Sequence, residues 1–118
     1  MSTLRVTTLA TQAGVEVYTA KAWVNFNGTG TVAIRASGNV SSITDNATGN
    51  YTVNFTVAMV DANYAAVSTV GDSAAAAPRL SGPTTAAVPT VSAYRLVTVL
   101  ASTNAGQDVS YVFVAFFR

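Results

Sequence analysis

The sequence predicts an all-β chain folded as an antiparallel β-sandwich of about seven strands. Three observations favour this fold: short segments alternate apolar and polar side chains, the breaks between them are rich in Gly and Asn, and no segment has the spacing of an amphipathic helix. The clearest alternation is at Asn50–Val57, with Tyr, Val, Phe and Val on one face and Asn, Thr, Asn and Thr on the other. Such a strand has one face in a core and the other in water or in a polar contact.

The chain divides into a short leading segment and one β domain. Residues 1–19 are rich in Thr and Val and lack helical spacing, so we expect an extended connecting segment. Residues 20–118 are predicted to form the sandwich. A domain of this size buries roughly two-thirds of the surface that its unfolded chain exposes.

In the first half of the domain, residues typical of turns separate the predicted strands. Asn27–Gly30 supplies glycines for positive φ, which short hairpin turns require. Thr44–Gly49 concentrates Thr, Asp, Asn and Gly, and we expect a tight, ordered loop there. The strands around these turns are predicted at Lys21–Phe26, Thr31–Ala36, Asn39–Ile43 and Asn50–Val57.

Three further strands are predicted in the second half, at Tyr64–Val70, Thr90–Ser102 and Val109–Phe117. Between the first two lies Gly71–Pro89, which holds all three prolines of the chain and a run of four alanines. Since proline cannot donate a hydrogen bond within a central strand, this segment is predicted to be a long surface loop.

The composition predicts an oligomer. Charged residues make up 9% of the chain and hydrophobic residues 50%, whereas about 25% charged residues is typical of a soluble protein. Val109–Phe117 is apolar on both faces, so its outer face is expected to meet a neighbouring subunit, although a central core strand would show the same pattern. The predicted interface residues are Trp23, Tyr111, Phe113, Phe116 and Phe117.

The residue types present disfavour catalysis and metal binding. The chain has no His and no Cys, which removes the usual general base near neutral pH, thiol nucleophiles and ordinary zinc sites. Its five acidic residues fall in predicted turns and connections, so a glycosidase-like pair of carboxylates is disfavoured. The oxygens around Asp45 match no calcium loop. We therefore expect a non-enzymatic protein without cofactor or metal.

Nucleic-acid binding and membrane insertion are also disfavoured. The six basic residues are spread along the chain instead of forming a patch. No apolar stretch approaches the ~20 residues that span a bilayer, and the N-terminus lacks the pattern of a signal peptide. Synthesis in the cytoplasm is the corresponding expectation.

The segment Lys21–Tyr64 resembles the tip domain of bacteriophage and prophage tail fibres. The phrases that carry the resemblance are Trp-Val-Asn-Phe-Asn-Gly from Trp23, Asn-Val-Ser-Ser-Ile-Thr-Asp-Asn from Asn39 and Tyr-Thr-Val-Asn-Phe from Tyr51. The sequence departs from the family pattern at Ala47 and Val60, both in predicted turns. The resemblance implies a homotrimeric tip in the virion, which residues 1–19 connect to a fibre shaft. The tip would be joined to other tail-fibre or baseplate proteins and would bind a polysaccharide or an outer-membrane protein on the host.

A geometric argument predicts which residues meet the receptor. If the leading segment enters at Lys21 and successive strands alternate in direction, then Asn27–Gly30, Asp45–Gly49 and Gly71–Pro89 all lie at the far end of the domain. Trp23 is an alternative contact, since an indole can stack on a sugar ring, but packing at a subunit seam is favoured. The predicted receptor contacts are Asn27, Thr29, Asp45, Asn46, Asp72 and Arg79.

Two other functions are compatible with the sequence. A capsid decoration or tail-assembly protein is a structural alternative, favoured by the start at Met1 and by the lack of a long fibre segment. A depolymerase that cuts capsular polysaccharide is the enzymatic alternative, which the shortage of paired acids disfavours.

Overall fold

The computed structural model describes residues 18–73 and 77–118, and throughout these residues the chain is all-β, without a helix. The predicted fold class is thus confirmed at the level of strands and sheets. Most of the predicted leading segment, residues 1–17, lies outside the described residues. Within the described part, no helix is long and apolar enough to cross a membrane.

The described residues form nine strands. The first four are β1 (Ala20–Asn27), β2 (Ala33–Gly38), β3 (Val40–Ala47) and β4 (Asn50–Phe55). They are followed by β5 (Ala65–Gly71), β6 (Arg79–Pro83), β7 (Ala93–Leu100), the two-residue β8 (Ala105–Gly106) and β9 (Tyr111–Phe117).

The strands form two antiparallel sheets. A four-stranded sheet has the order β2-β1-β9-β5, and a five-stranded sheet has the order β3-β4-β7-β6, with β8 paired to β7. All strand pairs are antiparallel, so successive strands along the chain alternate in direction from β1 to β7. This alternation is the one that the geometric prediction assumed.

The core lies between the two sheets and is rich in aromatic side chains. From β9, Val112, Val114 and Phe116 point inward, and Phe116 is fully buried. Its ring contacts Phe55 on β4 at 4.9 Å and Tyr94 on β7 at 5.3 Å, measured between ring centroids, in edge-to-face geometry. Such aromatic pairs contribute about 0.5–1.5 kcal/mol beyond the area that they bury.

Both long sides of the sandwich are closed by short links between the sheets. On one side, Asn39 takes φ of 56°, and the chain passes directly from β2 into β3. The Asn39 amide donates to the carbonyl oxygens of Lys21 and Val57, at 3.2 and 3.0 Å. On the other side, the hydroxyls of Ser68 on β5 and Ser81 on β6 are 2.6 Å apart.

Two predictions of local structure were wrong. Thr44–Gly49 is not a loop, because β3 continues to Ala47 and leaves only Thr48 and Gly49 in the turn, where Gly49 has φ of 64°. The described part of Gly71–Pro89 is not one loop, because β6 lies within it. Proline is tolerated there since β6 is an edge strand and Pro83 is its last residue.

Candidate functional site

The loops gather at one end of the sandwich and the chain entry lies at the other. The register places Asn27 beside Ala33 and Gly71 beside Tyr111, so the β1–β2, β5–β6 and β7–β9 connections share one end of the domain. The β3–β4 turn is at the same end, since the amide of Gly49 donates to Oδ1 of Asp108 at 2.8 Å. Ala20 pairs with Phe117 at the opposite end. We call the end that carries these four connections the loop end.

Tyr51 ties the loop end to the core. Its fully buried hydroxyl lies 2.8 Å from Oδ1 of Asp108 and 2.9 Å from the carbonyl oxygen of Gly28, so its proton faces two acceptors. A side chain at Gly28 would collide with this hydroxyl. The amide of Gly28 in turn donates to the carbonyl oxygen of Val109 at 2.9 Å. Loops from both sheets are therefore fixed to one buried side chain.

The pKa of the Tyr51 hydroxyl is raised, first because burial disfavours the phenolate and then because the Asp108 carboxylate accepts its proton. Burial also raises the pKa of Tyr64, to about 12. Both hydroxyls are therefore held in their protonated form, and both connect loops to the body of the domain, since Tyr64 lies 2.9 Å from the carbonyl oxygen of Thr90.

We predict that the free energy of unfolding falls as the pH rises above 10. Each tyrosine ionises near pH 10 in the unfolded chain and at higher pH in the fold, so its stabilisation is complete below pH 10 and is lost as the pH approaches the folded value. The expected slope is about 1.4 kcal/mol per pH unit for each such tyrosine. Urea unfolding between pH 9 and 12 measures it. Tyr51→Phe should reduce the slope, whereas Tyr18→Phe, at an exposed hydroxyl, should not; equal slopes in all three proteins would contradict the prediction.

Asn27 and Thr29 lie at the loop end, as predicted, but they bond to each other. The Asn27 carbonyl Oδ1 accepts from the amide of Thr29 at 3.0 Å and from its hydroxyl at 2.7 Å. This is an Asx turn, in which the side chain stabilises its own loop. The exposed surface of this loop is formed by its neighbours Gly30 and Thr31.

Asp72 and Arg79 are brought together, but as an ion pair across the ends of β5 and β6. Their charged atoms are 3.6 Å apart, and their side chains are 16% and 7% exposed. Arg79 also donates to the carbonyl oxygen of Ala77 at 2.9 Å. With so little of its side chain exposed, Arg79 is not positioned as a receptor contact, and it holds the β5–β6 connection instead.

Asp45 and Asn46 are exposed, but both belong to strand β3 and not to a loop. Asp45 pairs with Tyr51 in the register, whereas Asn46 donates to the hydroxyl of Thr52 at 2.8 Å on the outer side of the sheet. Asn46 therefore belongs to a different surface from Asn27 and Thr29.

The outer side of the four-stranded sheet carries a cluster of half-exposed apolar side chains. We call this surface the aromatic face, and it comprises Trp23, Val67, Tyr111, Phe113 and Phe117. The cross-strand register aligns Trp23 with Ala115 and Val67, and Asn25 with Phe113 and Thr69, so a shallow groove runs across β1, β9 and β5. Contiguous exposed apolar patches of this kind mark interaction sites.

Four of the five predicted interface residues lie on the aromatic face, and one does not. Trp23, Tyr111, Phe113 and Phe117 are each 38–44% exposed. Phe116 points the other way and is fully buried in the core of its own chain, so its prediction as an interface residue was wrong. The reason is parity: neighbouring residues of a strand point to opposite faces.

The indole of Trp23 occupies the space beside Gly38 on β2, where no side chain is present. A Cβ at Gly38 would clash with the indole Nε1. The exposed remainder of the indole borders the groove beside Phe113. Arg35 adds to this surface, with its guanidinium 4.6 Å from the centre of the Tyr111 ring.

The outer side of the five-stranded sheet has a different chemistry. We call the part formed by β3, β4 and Arg95 the polar face; toward the edge strand β6 the same side carries Val97, Val99 and Leu80. The polar face comprises Ser42, Thr44, Asn46, Asn50, Thr52, Asn54 and Arg95. Hydrogen bonds link these side chains across strands; for example, Asn54 donates to the hydroxyls of Ser42 and Thr44 at 3.1 and 3.0 Å. The alternation at Asn50–Val57 predicted a polar side for β4, but nothing in the sequence linked it to Arg95.

The acidic groups of the described residues have separate roles. Asp61 forms a two-pronged ion pair with Arg118 at 2.7 and 2.8 Å, which lowers the pKa of Asp61 to about 2. Asp72 pairs with Arg79, and Asp108 accepts from Tyr51. Within residues 18–73 and 77–118, no group of three acidic side chains is placed to hold a metal ion.

Comparison of this chain with models of protein families, with curated proteins and with solved structures found no match. The likeness of Lys21–Tyr64 to tail-fibre tips therefore stays a prediction.

Proposed function

We propose that this chain is the receptor-binding tip of a phage or prophage tail fibre, which attaches the virion to a host cell surface without catalysis. Its receptor is a surface polysaccharide or an outer-membrane protein. The chain is made in the host cytoplasm and becomes part of the tail fibre, joined to other fibre or baseplate proteins.

The observation that carries the proposal is the separation of the chain entry from the loops. The described chain begins at Tyr18 and enters β1 at Ala20, beside Phe117, at the end opposite the loop end. A fibre attached there directs the β1–β2, β3–β4, β5–β6 and β7–β9 connections away from the virion. Loops held on a rigid scaffold commonly carry binding function, and here Tyr51 and the Asp72–Arg79 pair fix them.

The aromatic face supports assembly of three copies around the fibre axis. Its exposed side chains are apolar and lie on the flat outer side of a sheet, whereas the polar face is on the opposite side of the sandwich. In a trimer the aromatic faces turn toward the axis and the polar faces turn outward. This arrangement removes the exposed aromatics from water and leaves the hydrogen-bonding side chains accessible.

Binding of the labelled full-length chain to a panel of bacterial strains tests the proposal. We expect saturable binding to some strains, and a loss of more than tenfold for Thr31→Trp, because the large side chain obstructs the loop end. Ala62→Trp is the matched control, since Ala62 is equally an exposed loop residue but lies at the opposite end, between β4 and β5.

Failure to bind any strain, or equal losses in the two variants, would contradict the receptor-binding role. Immunolabelling of virions separates this role from the structural alternative. A fibre tip is labelled in few copies on tails, whereas a decoration protein is labelled in many copies on heads.

A further inference from the structure

Arg95 is the cation of the polar face, and its position is fixed by the sheet. It lies near the middle of β7, opposite Thr52 on β4, and its side chain is half-buried between neighbouring strands. Its Nε donates to Oδ1 of Asn50 at 2.7 Å. This single bond orients the guanidinium and leaves its two terminal Nη groups without an acceptor among the described residues.

No carboxylate of the described residues neutralises Arg95. Asp61 pairs with Arg118 and Asp72 with Arg79, and Asp108 is held by Tyr51 at the loop end. Asp45 is registered with Tyr51, whose side chain points into the core, so it lies on the opposite side of the sheet from Arg95. The polar face thus carries an uncompensated, oriented guanidinium.

The groups around Arg95 are hydroxyls and amides with unused hydrogen-bonding capacity. The Thr52 hydroxyl accepts from Asn46 but has no acceptor of its own within the described chain. The amide nitrogen of Asn54 donates to the hydroxyls of Ser42 and Thr44, and its Oδ1 has no partner among the described residues. Asn50 uses its Oδ1 for Arg95, and its amide nitrogen likewise has no described partner. Donors and acceptors are therefore both available within reach of the cation.

We propose that the polar face binds an acidic sugar, with the Arg95 guanidinium on a carboxylate or phosphate group of the ligand and with Asn50, Thr52 and Asn54 on its hydroxyls. A guanidinium fork matches the planar carboxylate and the phosphate oxygens and makes charge-assisted hydrogen bonds to both. This inference rests on the proposed function, because it names the class of receptor that such a tip meets. It places the contact on the outward side of the trimer, and not at the loop end alone.

The same surface is poorly suited to other anionic partners. Proteins bind nucleic acid through several cations that contact successive phosphates, whereas the polar face as defined above carries the single cation Arg95. Stable protein interfaces centre on buried aromatic or apolar anchors, whereas the outer positions next to Arg95 on β4 and β7 are Asn50, Thr52, Asn54 and Ala93, with Val97 as the one large apolar side chain among them. A hydroxyl-rich ligand with a single acidic group per sugar unit fits both the charge and the hydrogen-bonding pattern.

The test is a titration of the full-length protein, followed by the backbone amide signals in NMR, with four probes: trigalacturonate, glucose 6-phosphate, sodium phosphate and neutral maltotriose. We expect the signals of Asn50, Thr52 and Arg95 to shift with trigalacturonate or glucose 6-phosphate, and at least tenfold weaker binding of maltotriose. The first two probes distinguish a carboxylate from a phosphate ligand, and sodium phosphate shows whether the anion suffices without the sugar.

Arg95→Gln should weaken the acidic sugar about tenfold or more, because it removes the charge and the fork. Lys21→Gln is the matched control: it removes the same charge from an exposed residue on β1 of the other sheet, and should leave binding unchanged. Thr52→Val keeps the shape of the side chain and the charge of the face but removes the hydroxyl, and should weaken binding several-fold. It also serves if Arg95→Gln does not fold.

Three results would overturn the inference: no binding of either acidic sugar, equal binding of maltotriose, or binding that is unchanged in both Arg95→Gln and Thr52→Val. Sodium phosphate that binds as tightly as glucose 6-phosphate would also overturn it, since the sugar would then contribute nothing. Cell binding of Arg95→Gln separates the two proposals. Undiminished binding to susceptible strains together with a negative titration refutes the acidic-sugar site alone, whereas wild-type protein that binds no strain refutes the proposed function.

Discussion

Phe113→Glu is expected to convert the proposed trimer into single chains. Phe113 lies at the centre of the aromatic face, 42% exposed, between Asn25 on β1 and Thr69 on β5. In an assembly that covers this face, each introduced carboxylate would be buried without a partner, at a cost of several kcal/mol per ion. Light scattering after size exclusion should therefore show a mass that falls from three times 12.1 kDa to 12.1 kDa.

The matched control for this prediction is Leu80→Glu. Leu80 is also an exposed apolar residue of a strand, 55% exposed, but it lies on edge strand β6 of the other sheet. The Leu80→Glu substitution should leave the measured mass unchanged. A wild-type protein that already measures as a single chain in dilute solution, or a loss of assembly in Leu80→Glu alone, would show that the aromatic face is not the subunit interface.

Phe116→Ala is expected to lower the free energy of unfolding by about 3–5 kcal/mol, the usual loss for a fully buried phenylalanine. Its ring contacts Phe55, Tyr64 and Tyr94 within the core, so the truncation leaves a cavity between the two sheets. Against a total stability of about 5–15 kcal/mol, this change removes a large share. Urea unfolding followed by near-UV circular dichroism measures it.

This second experiment is best made on the Phe113→Glu background, so that unfolding is not coupled to dissociation. Phe117→Ala is the control there, since Phe117 is the next residue but is 38% exposed on the outer side. Its loss should be well below that of Phe116→Ala. Similar losses for the two variants would contradict the assignment of Phe116 to the core and of Phe117 to the outer side of β9.

The sequence predicted the strands well where one side of a strand is polar. The alternation of Asn50–Phe55 reflects a core on one side and the hydrogen-bonded polar face on the other, so the pattern and the physical cause coincide. The pattern fails at β3, where Asp45 and Asn46 indicate a turn but belong to the strand. Here Asn46 donates to the hydroxyl of Thr52 on the paired strand β4, so its side chain links the two strands of the hairpin and does not form the turn.

The edge strand β6, which lies before Pro89, is not predictable from the composition of its segment. Proline and alanine indicate a loop, yet β6 pairs with β7 through Leu80–Gly82, and Ser81 bonds to Ser68 of the other sheet. At the start of β6, Arg79 meets Asp72 from the end of β5, and this ion pair leaves little of the Arg79 side chain exposed. Such contacts depend on the sheet order, which no local pattern encodes.

The aromatic face was predictable in outline and not in detail. Val109–Phe117 is apolar on both sides, and the pattern alone does not say which set faces the partner sheet. The set containing Phe116 turns inward because it meets Phe55 and Tyr94 there. No sequence pattern indicates Arg95 as a binding residue. Its environment is set by the neighbouring strand β4 and by the absence of a nearby carboxylate among the described residues.

The closed sides of the sandwich bear on how the protein behaves when it is concentrated. Aggregation of β proteins commonly begins when an exposed edge recruits a strand from another molecule. Here β3 carries two register shifts, β6 ends in Pro83, and the links at Asn39 and Ser68 tie one sheet to the other at both margins. Fibril-like stacking through the margins is hindered, so we expect the domain to stay dispersed in concentrated solution.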